Sequence, residues 1–146
     1  INSPLAGEMS GHIFFADKYY GFDDALYASI RLLSLLANDV NLEKFISSLP
    51  KTFVSPEIKL RCSDQIKFTV INNISKNALR DYSPENITTI DGVIARNNFG
   101  WWLIRASNTE EALIIRFEGK SIEDKEELFL EVQKRLKKEG LTLEFN

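Results

Sequence analysis

The chain has 146 residues, 44% hydrophobic and 27% charged, with 18 basic against 21 acidic side chains and a formal net charge of -3. This composition excludes a disordered chain and fits a globular protein of one domain, or of one small domain with an appendage. The acidic balance gives no general attraction for nucleic acid or for an anionic membrane surface. Cys62 is the sole cysteine and His12 the sole histidine, which rules out an internal disulfide and a structural zinc site and fits a reducing cytoplasm. No signal peptide is evident, and the longest apolar stretch, around Leu32 to Ala37, is far too short to span a bilayer. A chain that opens on Ile1 is expected to be a processed or cut one.

In chain order, the first feature is the run Gly7-Glu8-Met9-Ser10-Gly11-His12. Read as an extended segment, it places Glu8, Ser10 and His12 on one side, an acceptor, a hydroxyl and an imidazole together. Such a row suits a sugar ring with adjacent hydroxyls, and its flanking glycines let backbone approach a ligand closely. Ile13 to Ala16 reads as a short buried strand. Asp23 then caps a helix from about Asp24 to Ala37, with Leu26, Ile30, Leu33 and Leu36 on one face. That face must pack on something. Leu42 to Leu49 is a second short helix, and Pro50 and Pro56 bracket a linker. One strand and two helices cannot close a core, so residues 1–51 are expected to be the tail of a larger α/β domain.

From residue 52 the pattern is self-sufficient. Glu57 to Arg61 alternates as a strand and a helical stretch covers about Ser63 to Arg80. Ile87 to Ile90 and Val93 to Arg96 are joined by Asp91-Gly92, the signature of a two-residue hairpin turn. Trp101 to Arg105 and Ala112 to Phe117 continue the meander. The last helix starts at a capping box of Ser121 with Asp124, with acidic residues crowding its first turn. It buries Leu128, Val132 and Leu136 and ends at Gly140. Its basic end, Lys134, Arg135, Lys137 and Lys138, reads as a solvated face. Four antiparallel strands with two helices on one face describe an α+β domain over residues 52–146. Trp101 and Trp102 fall on opposite faces of one strand, so one of them is expected in the core.

A second chemical run, Arg105-Ala106-Ser107-Asn108-Thr109, closes a strand of this domain. A guanidinium fork, two hydroxyls, an amide and a turn of backbone N–H groups are what phosphate oxygens require. An ordinary polar turn would use the same residue types.

Together the two runs resemble the α-D-phosphohexomutases, the bacterial phosphomannomutase/phosphoglucomutase branch in particular. GEMSGH looks like the family's sugar-binding loop and RASNTE like its C-terminal phosphate-binding loop; Tyr20-Gly21-Phe22-Asp23-Asp24 and Asn86 to Val93 extend the similarity along the chain. Met9 is similar to the mannose/glucose branch. The resemblance implies a four-domain enzyme whose third domain ends in residues 1–51 and whose fourth, TATA-binding-protein-like, is residues 52–146. It implies interconversion of hexose 1-phosphate and hexose 6-phosphate through a bisphosphate. Glu8 and Ser10 would hold ring hydroxyls, His12 would serve as acid/base, and Arg105, Ser107, Asn108 and Thr109 would clamp the phosphate that is not reacting.

Neither the family's Ser-His-Asn-Pro phosphoserine loop nor its Asp-Gly-Asp-Gly-Asp magnesium loop occurs in this sequence. The chain alone is therefore expected to be inactive and to hold no metal. Mg2+ and the glucose 1,6-bisphosphate activator would belong to the parent enzyme, and the partners would be a hexose phosphate and the missing N-terminal domains. Glu111 departs from the proline the family often carries there. The alternatives are a stand-alone sugar-phosphate binding module, another phosphohexomutase such as phosphoglucosamine mutase, or an interaction domain that uses the sheet.

Overall fold

In a computed structural model the described residues are 3–8 and 10–143, and they form two compact units, residues 1–50 and 51–146. In the first unit, β1 (Leu5–Gly7) pairs antiparallel with β2 (Ile13–Phe15). The helix α1 (Ala25–Ala37) follows, then α2 (Leu42–Ser48). The N-cap of α1 is Asp24 rather than Asp23, its carboxylate accepting from the Tyr27 N–H at 2.9 Å. A polar and aromatic cluster ties the hairpin to α1. Arg31 holds the Asp17 carboxylate with two hydrogen bonds of 3.1 and 3.0 Å and lies 4.5 Å over the Phe15 ring, while Tyr19 stacks on Tyr27 at 3.8 Å.

The predicted stripe on α1 packs on nothing within this unit. Leu26, Ile30, Leu33 and Leu36 are 79, 62, 62 and 43% exposed, and neither helix has a buried residue. Burying such side chains contributes roughly 1.5–3 kcal/mol each, so the unit forgoes most of what usually holds a helix down.

The second unit has the core. β3 (Phe53–Val54) and β4 (Ile58–Arg61) both pair antiparallel with β8 (Ala112–Gly119), one along each half of its length. The residues between them break the ladder because Pro56 has no N–H. Ser55 bridges the gap: its N–H donates to the Phe117 carbonyl at 2.8 Å and its Oγ accepts from the Phe117 N–H at 3.0 Å. The expected linker between Pro50 and Pro56 thus contains a strand. β8 neighbours β7 (Gly100–Ala106), β7 neighbours β6 (Val93–Arg96), and β5 (Ile87–Thr88) forms the edge. The sheet is antiparallel, as expected, with six strand segments rather than four.

The β5–β6 turn is longer than the two residues expected. Thr88 faces Ile94, so residues 89–93 lie outside the β5–β6 pairing, although Val93 already pairs with Ile104 of β7, and Ile90, expected in a strand, is 81% exposed in the turn. Gly92 takes φ +76, the left-handed position that a longer hairpin loop needs.

Helices α3 (Lys67–Asp81) and α4 (Ile122–Lys138) cover one face of the sheet. Val70, Ile74 and Ala78 of α3 and Leu128, Val132 and Leu136 of α4 meet Trp102, Ile104, Leu113, Ile115 and Phe117 in one buried cluster. Alternation along β7 puts Trp102, Ile104 and Ala106 inward and leaves Trp101, Leu103 and Arg105 on the other face, half exposed. The capping of α4 is as expected, with Ser121 Oγ accepting from the Asp124 N–H at 3.0 Å. Among the described residues no helix is long and apolar enough to cross a membrane.

Candidate functional site

The hairpin between β1 and β2 is the first of two polar sites. Glu8, Ser10 and His12 do not line up along an extended segment. Gly11 takes φ +89, its N–H donates to the Glu8 carbonyl at 3.0 Å, and the Glu8 N–H donates to the His12 carbonyl at 2.8 Å. The side chains gather by folding back rather than by alternation. Ser10 Oγ donates to Glu8 Oε2 at 3.2 Å, so the hydroxyl and carboxylate expected together do meet. Met9 lies outside the described residues.

His12 is turned to a different partner. Its Nδ1 lies 2.5 Å from Asp23 Oδ2, and Phe14 and Asp23 form a β-bridge that brings the carboxylate to the imidazole. A carboxylate on Nδ1 favours the tautomer with its proton there and leaves Nε2 as the acceptor. Both side chains are substantially exposed, 55 and 41%. The sequence offers Asp23 as a helix cap, and the bridge that carries it back to His12 has no signal in the local sequence. The adjacent Asp24 is committed to α1 and to Tyr19, whose hydroxyl donates to it at 2.5 Å. That bond is the main cause of a Tyr19 pKa pushed up to about 12, and it holds the Asp24 carboxyl below its usual range.

The second polar site is the turn between β7 and β8. Ser107 is buried, and its Oγ accepts from the N–H groups of Thr109 at 3.3 Å and Glu110 at 3.1 Å. With its oxygen so engaged, the hydroxyl proton is what Ser107 has to offer. Asn108 and Thr109 are exposed. Glu110 is held aside by Lys59 at 2.6 Å, which keeps its carboxylate from competing for the turn. Arg105 Nη1 lies 3.8 Å from Asp91 Oδ2 in the neighbouring turn, its side chain 33% exposed. Beneath the turn is a residue that the sequence reading left out. Lys67, at the start of α3, is 3% exposed and donates to the carbonyls of Ser107 at 2.7 Å and Glu110 at 3.0 Å. No local pattern marks it, because the carbonyls it holds lie 40 and 43 residues away in the chain.

The expected residues therefore fall into two groups, Glu8, Ser10 and His12 in the first unit and Arg105, Ser107, Asn108 and Thr109 in the second. Chemically, the first group offers hydroxyl contacts and a proton acceptor, and the second a cation, a hydroxyl, an amide and the Asn108 backbone N–H for an oxyanion.

The basic end of α4 is only partly the solvated face expected. Arg135, with 10% of its side chain exposed, pairs with Asp81 at 3.1 Å and Glu131 at 2.8 Å and covers Trp102 at 4.9 Å. Glu131 also accepts from Tyr82, Asn97 and the Trp102 indole, so this network satisfies the one polar atom of a buried tryptophan. Burial, ahead of the bond to Glu131, pushes the Tyr82 phenol up. A groove of about 510 Å³ opens over these residues, beside the β6–β7 turn and therefore at the other end of β7 from Arg105.

An antiparallel α+β unit with a polar turn led by Arg105, preceded by a hairpin–helix unit, is the architecture that known proteins match. A profile described as "Phosphoglucomutase/phosphomannomutase, C-terminal domain" matches residues 57–138, and one described as "alpha/beta/alpha domain III" of the same proteins matches residues 2–53. The chain belongs to the phosphoglucomutase/phosphomannomutase family. It is 43% identical over 120 residues to a phosphomannomutase/phosphoglucomutase of Pseudomonas putida, covering 82% of this chain and 26% of that protein. With the corresponding protein of Pseudomonas aeruginosa it shares 40% identity over 134 residues, 91% of this chain and 28% of that one. A crystal structure of a phosphoglucomutase/phosphomannomutase family protein from Burkholderia thailandensis superposes with a TM-score of 0.80 at 36% identity, covering 98% of this chain and 30% of that one. The chain thus spans little more than a quarter of the length of these curated relatives.

Proposed function

We propose that the chain is the carboxy-terminal part of a hexose-phosphate mutase, comprising the end of domain III and the whole of domain IV, and that it supplies sugar and phosphate recognition. The observation that carries this reading is the turn after β7, where Arg105 lies at the end of the strand and the buried Ser107 hydroxyl folds the turn that presents Asn108 and Thr109, in a member of this family. Arg105, Ser107, Asn108 and Thr109 grip the phosphate that is not reacting. Glu8 and Ser10 accept from and donate to ring hydroxyls. Positioning of this kind supplies much of the catalysis in phosphoryl transfer, where there is little other covalent work for the protein.

In the whole enzyme a phosphoserine outside this chain gives up its phosphoryl group. The P–O bond to the serine breaks as the bond to a sugar oxygen forms, and the sugar hydroxyl proton needs an acceptor. His12 Nε2, with Nδ1 held by Asp23, is suited to take it and to return it when the phosphoryl group moves back. No residue of this chain is assigned to magnesium, because the Asp-Gly-Asp-Gly-Asp run of the family's magnesium loop does not occur in its sequence. The metal and the glucose 1,6-bisphosphate activator belong, on this reading, to the rest of the polypeptide, and the location of the enzyme is cytoplasmic.

The test is an assay of the 146-residue chain with glucose 1-phosphate and glucose 1,6-bisphosphate, following glucose 6-phosphate. No sustained turnover is expected, because the chain has no phosphoserine loop. Sustained turnover would overturn the assignment of the chemistry to the missing domains.

A further inference from the structure

Lys67 is a charged side chain buried in the second unit that the proposed chemistry does not use. A buried ammonium is costly unless every proton finds an acceptor. Here three acceptors surround it: the Ser107 carbonyl at 2.7 Å, the Glu110 carbonyl at 3.0 Å and the Asp64 carboxylate at 2.5 Å. Its place in the helix is also unfavourable, since Lys67 is the first residue of α3 and the dipole disfavours a cation there. A position that is wrong for the helix and costly for the core is explained by what the ammonium does to the turn above it.

Two carbonyl oxygens of the turn point down to Lys67, and Ser107 Oγ draws in the N–H groups of Thr109 and Glu110. The Asn108 N–H is left without a hydrogen-bond partner among the described residues. Carbonyl oxygens would repel a phosphate, and these two are held away on the ammonium. The positive charge also lies directly behind the turn, in a region of low dielectric where its field is weakly screened. Asp64, with 64% of its side chain exposed, shares part of that charge.

We infer that Lys67 is a positioning residue for the phosphate turn: it fixes the backbone of residues 107–110 with the carbonyls inward and lends its charge to the bound anion. This rests on the phosphate reading of Arg105 to Thr109 given above. Lys67 touches the turn and not the ligand.

The test titrates inorganic phosphate into the 15N-labelled 146-residue chain, as wild type, Arg105→Ala, Lys67→Met and Asp64→Asn. Wild type shows saturable shifts at the amides of Ser107 to Thr109, and Arg105→Ala weakens that binding at least tenfold. Lys67→Met lowers phosphate affinity at least tenfold and speeds amide exchange at Ser107 and Ala112, while Ile104 and Leu113 keep their protection. Asp64→Asn, at an exposed position, raises affinity about two- to threefold at low salt, the scale of one partly screened charge.

Wild-type affinity and turn exchange in Lys67→Met overturn the inference. So does a loss of protection spread evenly over the sheet, or an Asp64→Asn affinity at or below wild type. Should Lys67→Met not fold, Asp64→Asn decides alone. Binding that Arg105→Ala leaves unchanged defeats the phosphate reading instead, and the exchange of the turn still judges Lys67.

Discussion

Replacing Gly92 by alanine tests how the β5–β6 turn holds the strand that carries Arg105. At φ +76 an L side chain costs about 1–2 kcal/mol. A Cβ there would also stand 2.4 Å from the Ile104 carbonyl oxygen, 2.5 Å from the Arg105 Cβ and 2.6 Å from the Arg105 Cα. Two of those atoms are backbone of a central strand and cannot swing aside, so the turn must lift, at about a further 1–3 kcal/mol as in overpacked cores. Gly140 provides the control. It has nearly the same dihedral, φ +75, with nothing within 4 Å of a built Cβ, so Gly140→Ala carries the conformational part alone. For a unit of this size 1 kcal/mol shifts the melting midpoint by roughly 4–8 °C. Gly92→Ala is therefore expected to lower it by about 10 °C or more and Gly140→Ala by clearly less. Thermal unfolding followed by tryptophan fluorescence reports both, because Trp102 is in the core. Equal shifts for the two variants would refute the close approach of the turn to Arg105.

The bare stripe of α1 and the core of the second unit should respond oppositely to truncation. Leu128→Ala, at a fully buried site, costs about 2–5 kcal/mol in denaturant unfolding, whereas Leu33→Ser changes stability by less than about 0.5 kcal/mol in this chain; equal costs would contradict the exposure of the stripe. Acid should loosen the first unit. Asp17 is held below the ordinary carboxylate value chiefly by its hydrogen bond from Arg31, and Asp24 chiefly by Tyr19. Their folded pKa values are depressed, so their contribution is complete above the unfolded value near 3.8 and is lost as pH falls through the folded ones. Far-UV circular dichroism should therefore lose α1 signal below about pH 4, and an acid transition unchanged in Asp17→Asn with Asp24→Asn would count against this. At the alkaline end Tyr19, raised to about 12, contributes stability that is present below 10 and lost as pH rises toward 12. Ultraviolet titration of the tyrosines should lose its last step in Tyr19→Phe, and an unaltered curve would refute the Tyr19–Asp24 bond.

What the sequence disclosed followed the range of the forces involved. The helix α4 was legible because its cap, dipole charges and buried stripe are all local, and Leu128, Val132 and Leu136 are fully buried. The strands β1 and β3 were missed since three and two residues carry no period, and Pro56 looked like a linker while Ser55 quietly repaired the ladder. Ile90 was read as strand because its apolar side chain continues the run from Ile87, yet Gly92 bends the chain before the pairing can reach it. Of the two polar runs, the residue types were visible and their arrangement was not. Gly11 folds the first into a hairpin, Asp23 reaches His12 across a β-bridge, and Lys67 reaches its turn from another element. Each of these depends on tertiary contact, which spacing along the chain does not encode.

The central claim is that the turn after β7 recognises the phosphate of a sugar phosphate. Glucose 1-phosphate titrated into the 15N-labelled chain, beside glucose alone, tests it most directly. The account predicts saturable shifts at Arg105 and Ser107 to Thr109 with the phosphorylated sugar and none there with glucose, and Arg105→Ala should weaken the interaction by about 1.5–3 kcal/mol, the scale of a charged hydrogen bond. Shifts that are absent, that glucose reproduces, or that Arg105→Ala leaves unchanged would contradict it.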